Sequence, residues 1–408
     1  MKRESWFKNY GVLAMGLWMT LILLLFGSNP ARTENIRGVT DDIIKFGLIA
    51  DMTGPNANTG IQASSLFRTY FRHLNDQGGV NGRKIKLIIE DDRYSIPGSL
   101  AAFKKMIYRD GVLAINGPSG TGQSQAMLHL FEEEKVTNIP WSNDASMHTP
   151  FKKFVFPSPG DYRDQMYVIF DYIMKDLGAK NPRIFIVYPD VGFGKVALEY
   201  AKERAMFYGV KLAGAEILNF GSLDATSQVL NLKRKRPDYL IMQQNETNTT
   251  ALLRDANKYR LEIPSFGLMY CCIHDVVRMA GDAAKNLICA DAYDHWHMDT
   301  HGMRKLRKIT MKYNPGTEDQ YRSKMFIRFY NDAIVLVEGM KKAGKDLNNI
   351  TLVNALETLR DFDSGVSGLV TYTSDNHKAT NFSRLFKVDL KKKVFAPLTD
   401  WRKPIVSR

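Results

Sequence analysis

The fold class this chain predicts is α/β: two doubly wound lobes with mostly parallel sheets, joined by a multi-strand hinge. Three observations point there. The first is the stretch Ile43 to Asp92. Phe46 to Ala50 is a short, mostly apolar run, as in a strand buried on both faces. Thr53-Gly54-Pro55 breaks it, and Leu66, Tyr70, Phe71 and Leu74 then fall on one helical face. Gly78-Gly79 stops that helix, and Lys84 to Glu90 is a second strand. Strand, helix and strand make a βαβ unit, which needs a right-handed crossover and a parallel pair. The second observation is that this grammar recurs after Pro157. The third is the length: 408 residues exceed one ordinary core.

The elements follow in order. A helix carries Leu100, Phe103, Met106 and Ile107 on one face, and Val112 to Asn116 is the third strand. The tight turn Gly117 to Gly122 opens a helix through Phe131. Val136 to Pro140 is the fourth strand, and Phe154 to Pro157 crosses to the second lobe. There, Tyr162 to Leu177, the segment from Gly194 to Tyr208, Ala225 to Lys235 and Thr249 to Lys258 read as helices. Arg183 to Tyr188, Tyr239 to Gln243 and Ser265 to Met269 read as strands, with Val210 to Asn219 extended. Leu287 to Tyr293 returns the chain to the first lobe, where helices Arg322 to Lys342 and Thr351 to Leu359 belong. Leu369 to Thr373 and Ser383 to Leu390 read as a closing strand pair. The resulting division is 42–157 plus 294–364 for the first lobe and 158–293 plus 365–401 for the second.

A hydrophobic content of 44% with 24% charged residues excludes a disordered chain. The net charge of +13 raises nucleic-acid binding. The charge is scattered, though, except at Lys233 to Arg236 and Lys391 to Lys393, which read as solvated edges beside strands. At the N-terminus, Lys2, Arg3 and Lys8 precede the uncharged run Val12 to Phe26. That is the layout of an export signal, and the run is short for a spanning helix. Gly27-Ser28-Asn29-Pro30-Ala31 offers no clean cleavage pattern, so residues 1–31 read as a signal peptide or an uncleaved membrane anchor. Export would admit one disulfide among Cys271, Cys272 and Cys289. Adjacent Cys271 and Cys272 make a strained bridge, so Cys289 pairs with either, Cys272 being the partner favoured here; three small buried hydrophobes are the alternative.

The quoted motifs carry a resemblance. Thr53-Gly54-Pro55, the run Asn75 to Arg83 reading N-x-x-G-G-V-x-G-R, and Glu90-Asp91-Asp92 stand in one order and spacing. Together they resemble the opening of the type I periplasmic substrate-binding proteins of ABC transporters, the leucine/branched-chain amino acid receptor family. The likeness continues through Gly368 to Tyr372 and Phe386 to Val388. It implies a Venus-flytrap fold. It also implies a monomeric, exported, periplasmic carrier that clasps a small polar or carboxylate-bearing solute (amino acid, amide or organic acid) and delivers it to an ABC permease. A membrane-tethered sensor of the same fold is the alternative.

Ligands of open α/β sheets bind beyond the carboxyl ends of the strands, where free N–H groups and helix dipoles favour a carboxylate. The leading candidate is Gly120-Thr121, whose hydroxyl and backbone match the family's carboxylate grip. The loop after the fourth strand adds Asn143, Asp144, Ala145 and Ser146; Asp144 faces a ligand ammonium or caps the next helix. The first loop adds Thr53 and Thr59, the latter standing where the family often has an aromatic wall. Across the cleft, Phe193 matches a position that is usually Tyr, and Asn245 and Glu246 follow a strand. Met269, with Tyr270 beside it, stands where amino-acid receptors place a glutamate for the ligand's amino group. That departure weakens the amino-acid reading, unless Glu246 or Asp144 substitutes.

Rival chemistries lack their parts. Gly117 to Ser124 has the outline of a phosphate-binding loop, but Gln123 replaces its lysine. No G-x-S-x-G or early G-x-G-x-x-G occurs, so no enzyme and no cofactor are expected. His295-Trp296-His297 and nearby His301 lack a carboxylate or Cys at metal-ligand spacing, so no metal is expected either. The binding reading requires a gap between Thr121 and Phe193.

Overall fold

The computed structural model describes residues 36–318 and 320–407. The predicted signal peptide or anchor lies outside the described residues. Among those described, no helix is long and apolar enough to cross a membrane.

The chain opens with β1 (Ile43–Ala50), α1 (Ala57–Asp76), β2 (Lys84–Asp91), α2 (Ile96–Lys104), β3 (Ala114–Asn116), α3 (Thr121–Glu133) and β4 (Thr137–Ile139). These strands form a parallel sheet in the order β2-β1-β3-β4. Ile44, Phe46, Leu48, Ile49 and Ala50 of β1 are all buried, as an apolar run inside a helix-covered parallel sheet must be. Phe46 packs on Phe67 and Phe71 of α1, with ring centroids 5.2 and 5.3 Å apart. Leu66, Tyr70, Phe71 and Leu74 of the same helix are buried too.

The chain then runs through α4 (Tyr162–Asp171), β5 (Ile184–Tyr188), α5 (Gly192–Phe207), β6 (Gly214–Ile217), α6 (Thr226–Lys235) and β7 (Tyr239–Met242). Next come α7 (Glu246–Lys258), β8 (Ser265–Gly267), α8 (His274–Ala280) and β9 (Leu287–Asp291). It closes with α9 (His301–Tyr313), α10 (Lys324–Ala343), α11 (Asn349–Leu356), β10 (Arg384–Asp389) and β11 (Val394–Pro397). The second sheet has the order β11-β10-β9-β8-β7-β5-β6. Its strands β5 to β9 are parallel, and β10 runs antiparallel to both β9 and β11.

Two expectations change. The closing pair is β10 with β11, not Leu369 to Thr373 with Ser383 to Leu390. Val370 and Thr373 make only single bridges, to Phe362 and Asn376, while exposed Lys391 to Lys393 form the hairpin turn. Leu287 to Tyr293 first serves as β9 in the second sheet; the chain leaves that sheet only beyond Asp291.

Helix α10 ties the molecule together. Lys324, Arg328 and Asp332 recur every four residues on one helical face, and all three are at most 1% exposed. Lys324 Nζ sits 3.1 Å from Asp291 at the end of β9 and donates to the Met269 carbonyl. Arg328 donates to the Tyr270 hydroxyl (2.6 Å) and the Pro140 carbonyl (3.1 Å). Asp332 accepts from Ser158 (2.6 Å) and Asn116 (3.1 Å). Burial pushes the Asp291 carboxyl up to about 6 against the opposing pull of Lys324, and burial likewise lowers the Lys324 ammonium. Desolvation therefore dominates both partners, and the pair is held by its surroundings rather than being a large source of stability.

Cys272 and Cys289 are joined, with Cα atoms 5.8 Å apart, linking the turn after β8 to β9. Cys271 stays a buried thiol that accepts from Thr249, and burial raises its pKa, so it is unreactive.

Two stability measurements follow. Cys289→Ser should cost about 2–4 kcal/mol, because the bridge removes the closure entropy of a loop with a sequence separation of 17 from the unfolded chain, and should abolish the sensitivity of the urea midpoint to reductant. Lys324→Met should cost about 3–5 kcal/mol by stranding Asp291, and adding Asp291→Leu should restore most of that loss.

Candidate functional site

The strand ends of the two sheets meet at one cleft. Beyond β3, Gly117 adopts φ +119°, and a Cβ there would lie 2.1 Å from the Ile49 carbonyl oxygen; only glycine turns the chain this tightly beside β1. Ser119 then donates to Asp92 through its N–H (3.0 Å) and hydroxyl (2.6 Å). Asp92 also accepts from Ser99 (2.9 Å) and the Tyr94 N–H (3.0 Å). Asp91 accepts from Met52 and Thr53, and Asp51 from Gly54 and Asn56. These acids hold the loops in place.

Thr121 begins α3, whose first turn has no side-chain cap. Its hydroxyl accepts from Ser142 (3.1 Å), which leaves the Thr121 proton available to donate. Facing it, α5 also starts without a side-chain cap. The two helix starts come close: a Cβ on Gly192 would lie 3.0 Å from the Gly122 nitrogen. Two sets of unsatisfied N–H groups and two positive dipole ends thus point into the same region.

Between them lies a small cavity of about 20 Å³, room for a single water, so the cleft is nearly closed in this structure. Of the residues singled out from the sequence, Gly120, Thr121, Phe193, Asn245 and Tyr270 line it, with Thr121 on the side of the first sheet and Phe193 on the side of the second. Asn56, Ser119, Tyr94, Trp141, Tyr162 and Phe220 line it as well, without having been singled out. Asn245 also caps α7 by accepting from the Asn248 N–H. Tyr270 donates to the Trp141 carbonyl (3.2 Å) and is steadied by Arg328 from behind.

The other candidates are engaged elsewhere. Thr53 is exposed and donates to Asp91 (2.6 Å). Thr59 is buried in α1 and donates to Asn56 (3.1 Å), so it steadies a lining residue without reaching the cavity. Asn143 donates to the Ser158 and Pro159 carbonyls in the crossing segment. Asp144 caps the turn Ala145–Met147 and accepts from Tyr200 (2.5 Å), so it clamps the cleft edge from protein to protein. Ala145 and Ser146 line a separate outer groove with Tyr200. Glu246 is buried; Asn58 occupies one of its oxygens (2.8 Å) and the other has no partner. Met269 is fully buried, with its N–H donated to Gln165 and its carbonyl taken by Lys324. The backbone there is held inward, and Tyr270, one residue later, is the one that reaches the cleft.

The histidine cluster offers no metal site. The Cys272 sulfur, Asp291 and His295 lie near one another, but Cys272 is bonded to Cys289 and Asp291 pairs with Lys324. Burial holds His295 well below its usual pKa, so it is neutral, and His297 is exposed.

Comparison with known proteins agrees with this geometry. The family described as periplasmic binding protein matches residues 43–393. The leucine-, isoleucine-, valine-, threonine- and alanine-binding protein of Pseudomonas aeruginosa is 24% identical over 306 residues, 74% of this chain and 79% of that protein. The Leu/Ile/Val-binding protein of Escherichia coli is 23% identical over 267 residues, 64% of this chain and 68% of its own. Among solved structures, a branched-chain amino acid ABC transporter protein from Thermus thermophilus with bound valine superposes with a TM-score of 0.83 at 21% identity, covering 90% of this chain and 97% of that one. A fatty acid ABC transporter substrate-binding protein from Thermomonospora curvata gives 0.81 at 22% identity, covering 92% and 96%. With its parallel sheets meeting at an inter-lobe cleft, the chain belongs to the periplasmic binding protein family, as a type I member of it.

Proposed function

We propose that this protein is the extracytoplasmic solute-binding component of an ABC transporter, and that it captures a small carboxylate-bearing solute in the cleft between its lobes. The observation that carries this reading is the meeting of two uncapped helix starts, α3 and α5, across a cavity that the Thr121 hydroxyl also lines. Such ends favour an anion. The solutes named for the similar proteins, branched-chain amino acids and a fatty acid, share a carboxylate.

The solute would act by differential affinity, binding both walls only when the lobes are together and so shifting an open–closed equilibrium. Contacts already span the gap: Asn58 with Glu246, Tyr200 with Asp144, and Tyr270 with Trp141. The permease would read the closed surface, and no covalent step is assigned to the protein. The basic N-terminus with its uncharged run supports export, and the Cys272–Cys289 bridge suits an oxidising periplasm.

Purified protein should melt at higher temperature with small carboxylates and not with their amides or esters, the gain growing by about 1.4 kcal/mol per tenfold excess of ligand over Kd. Thr121→Ala should weaken carboxylate binding by about 1 kcal/mol, roughly five- to tenfold, and should also lower the stability of the protein alone by about 1–3 kcal/mol, because the buried Ser142 hydroxyl loses its acceptor. A carboxylate affinity unchanged by this variant would refute the assigned grip.

A further inference from the structure

We propose that the solute is an aromatic carboxylate without an α-amino group, its ring enclosed by six aromatic side chains and its acid directed to the start of α3. This rests on the receptor reading above and names the solute class.

The cavity wall is mostly rings. Tyr94 and Trp141 stand on the side of the first sheet; Tyr162, Phe193, Phe220 and Tyr270 stand on the side of the second. They form a connected set. Tyr94 meets Phe220 edge-on across the cleft at 5.7 Å. Phe220 meets Phe193 at 6.0 Å, and Phe193 meets Tyr162 at 5.7 Å and Tyr270 at 5.4 Å. Aromatic pairs favour offset or edge-to-face contact at such separations, and here the rings fill the cleft against one another; a solute ring entering as the lobes part would replace those contacts with aromatic partners on both sides. A branched aliphatic chain would part the same rings without that complementarity.

The polar part of the wall is neutral. Asn56, Ser119, Thr121 and Asn245 supply amides and hydroxyls, and among the described residues no acidic side chain lines the cavity. The nearby acids are committed: Asp92 holds Ser119, Ser99 and Tyr94, and Asp51 holds the first loop. Glu246 keeps one oxygen free but stands outside the lining, bonded to Asn58. Met269 is turned into the core. Arg328 puts a buried positive charge one hydrogen bond behind the wall, through Tyr270. An ammonium entering here would meet that charge and two helix starts with no acid in the lining to pair with, Asp92 standing behind Ser119 with four hydrogen bonds already made, whereas a carboxylate would be stabilised by the helix starts and the Thr121 hydroxyl. The same argument disfavours a quaternary ammonium, which an aromatic wall alone would suit.

The test is calorimetric titration of the purified protein with benzoate, 3-phenylpropionate, L-phenylalanine, L-leucine, octanoate and choline. The expected result is that benzoate or 3-phenylpropionate binds at least tenfold tighter than L-leucine, octanoate or choline, and that L-phenylalanine binds at least tenfold more weakly than 3-phenylpropionate, which differs by the amino group. Phe220→Leu, at a half-buried position, should weaken the aromatic acids at least fivefold while changing octanoate less than twofold. If L-leucine, L-phenylalanine, octanoate or choline binds most tightly, or if Phe220→Leu affects all acids alike, the aromatic assignment is overturned. A preference for L-leucine, L-phenylalanine or octanoate leaves the carboxylate-receptor reading standing. If no carboxylate of any class binds, both fall.

Discussion

The molecule depends on one helix that keeps charge inside its core. Lys324, Arg328 and Asp332 have no access to water, and each is matched to a partner from a different part of the chain. Burying such groups costs free energy that their pairing only partly returns. What they supply is position. Lys324 fixes the end of β9 and the Met269 carbonyl, Arg328 fixes Tyr270 and Pro140, and Asp332 fixes Ser158 and Asn116. Those partners lie on both sides of the cleft, so a single rigid rod sets where the two sheets present their strand ends.

That arrangement separates what must stay fixed from what must move. The charged groups of the rod are buried and each is engaged by a partner from another element. The contacts at the cleft are fewer and come from side-chain tips, such as Asn58 on Glu246 and Tyr200 on Asp144. Single hydrogen bonds of this kind contribute about 1 kcal/mol each, small enough to be made and broken as the lobes part. A solute that bridges the helix starts would add to the same side of the balance.

The sequence was most legible where local chemistry and burial agree. The β1–α1–β2 unit could be read because its apolar run, its glycine stop and its helical stripe describe one buried surface. The place of Gly120-Thr121 on the cavity wall could be read because strand-end loops that open helices are where free N–H groups must be. Helices α8 and α9 have no counterpart among the predicted elements; in α9, Met303, Leu306 and Ile309 form the buried face, but five Lys and Arg residues lie between and after them. The aromatic wall was only half visible. Trp141 lies at the end of a recognised strand and Tyr94 just past another, so the strand-end rule reaches both. Phe220 follows a short edge strand, and its place in the cavity is set by Phe193 and Tyr94, residues distant in sequence.

Met269 shows why likeness to a family locates a site better than it specifies a ligand. The loop after β8 comes to the cleft as the resemblance implies. Its register is decided by residues distant in sequence, with Gln165 accepting the Met269 N–H and Lys324 taking its carbonyl. With the backbone held there, the side chain at 269 packs near Gly160 in the crossing segment, and the wall position passes to Tyr270. A ring backed by Arg328 thus stands close to where an acid would serve an amino group, so the electrostatic character of the pocket is set from beneath the loop as much as by it. In this chain the lining Tyr270 and the buried Arg328 that orients it act as a pair, so a substitution at Arg328 would alter the pocket without touching the cavity wall.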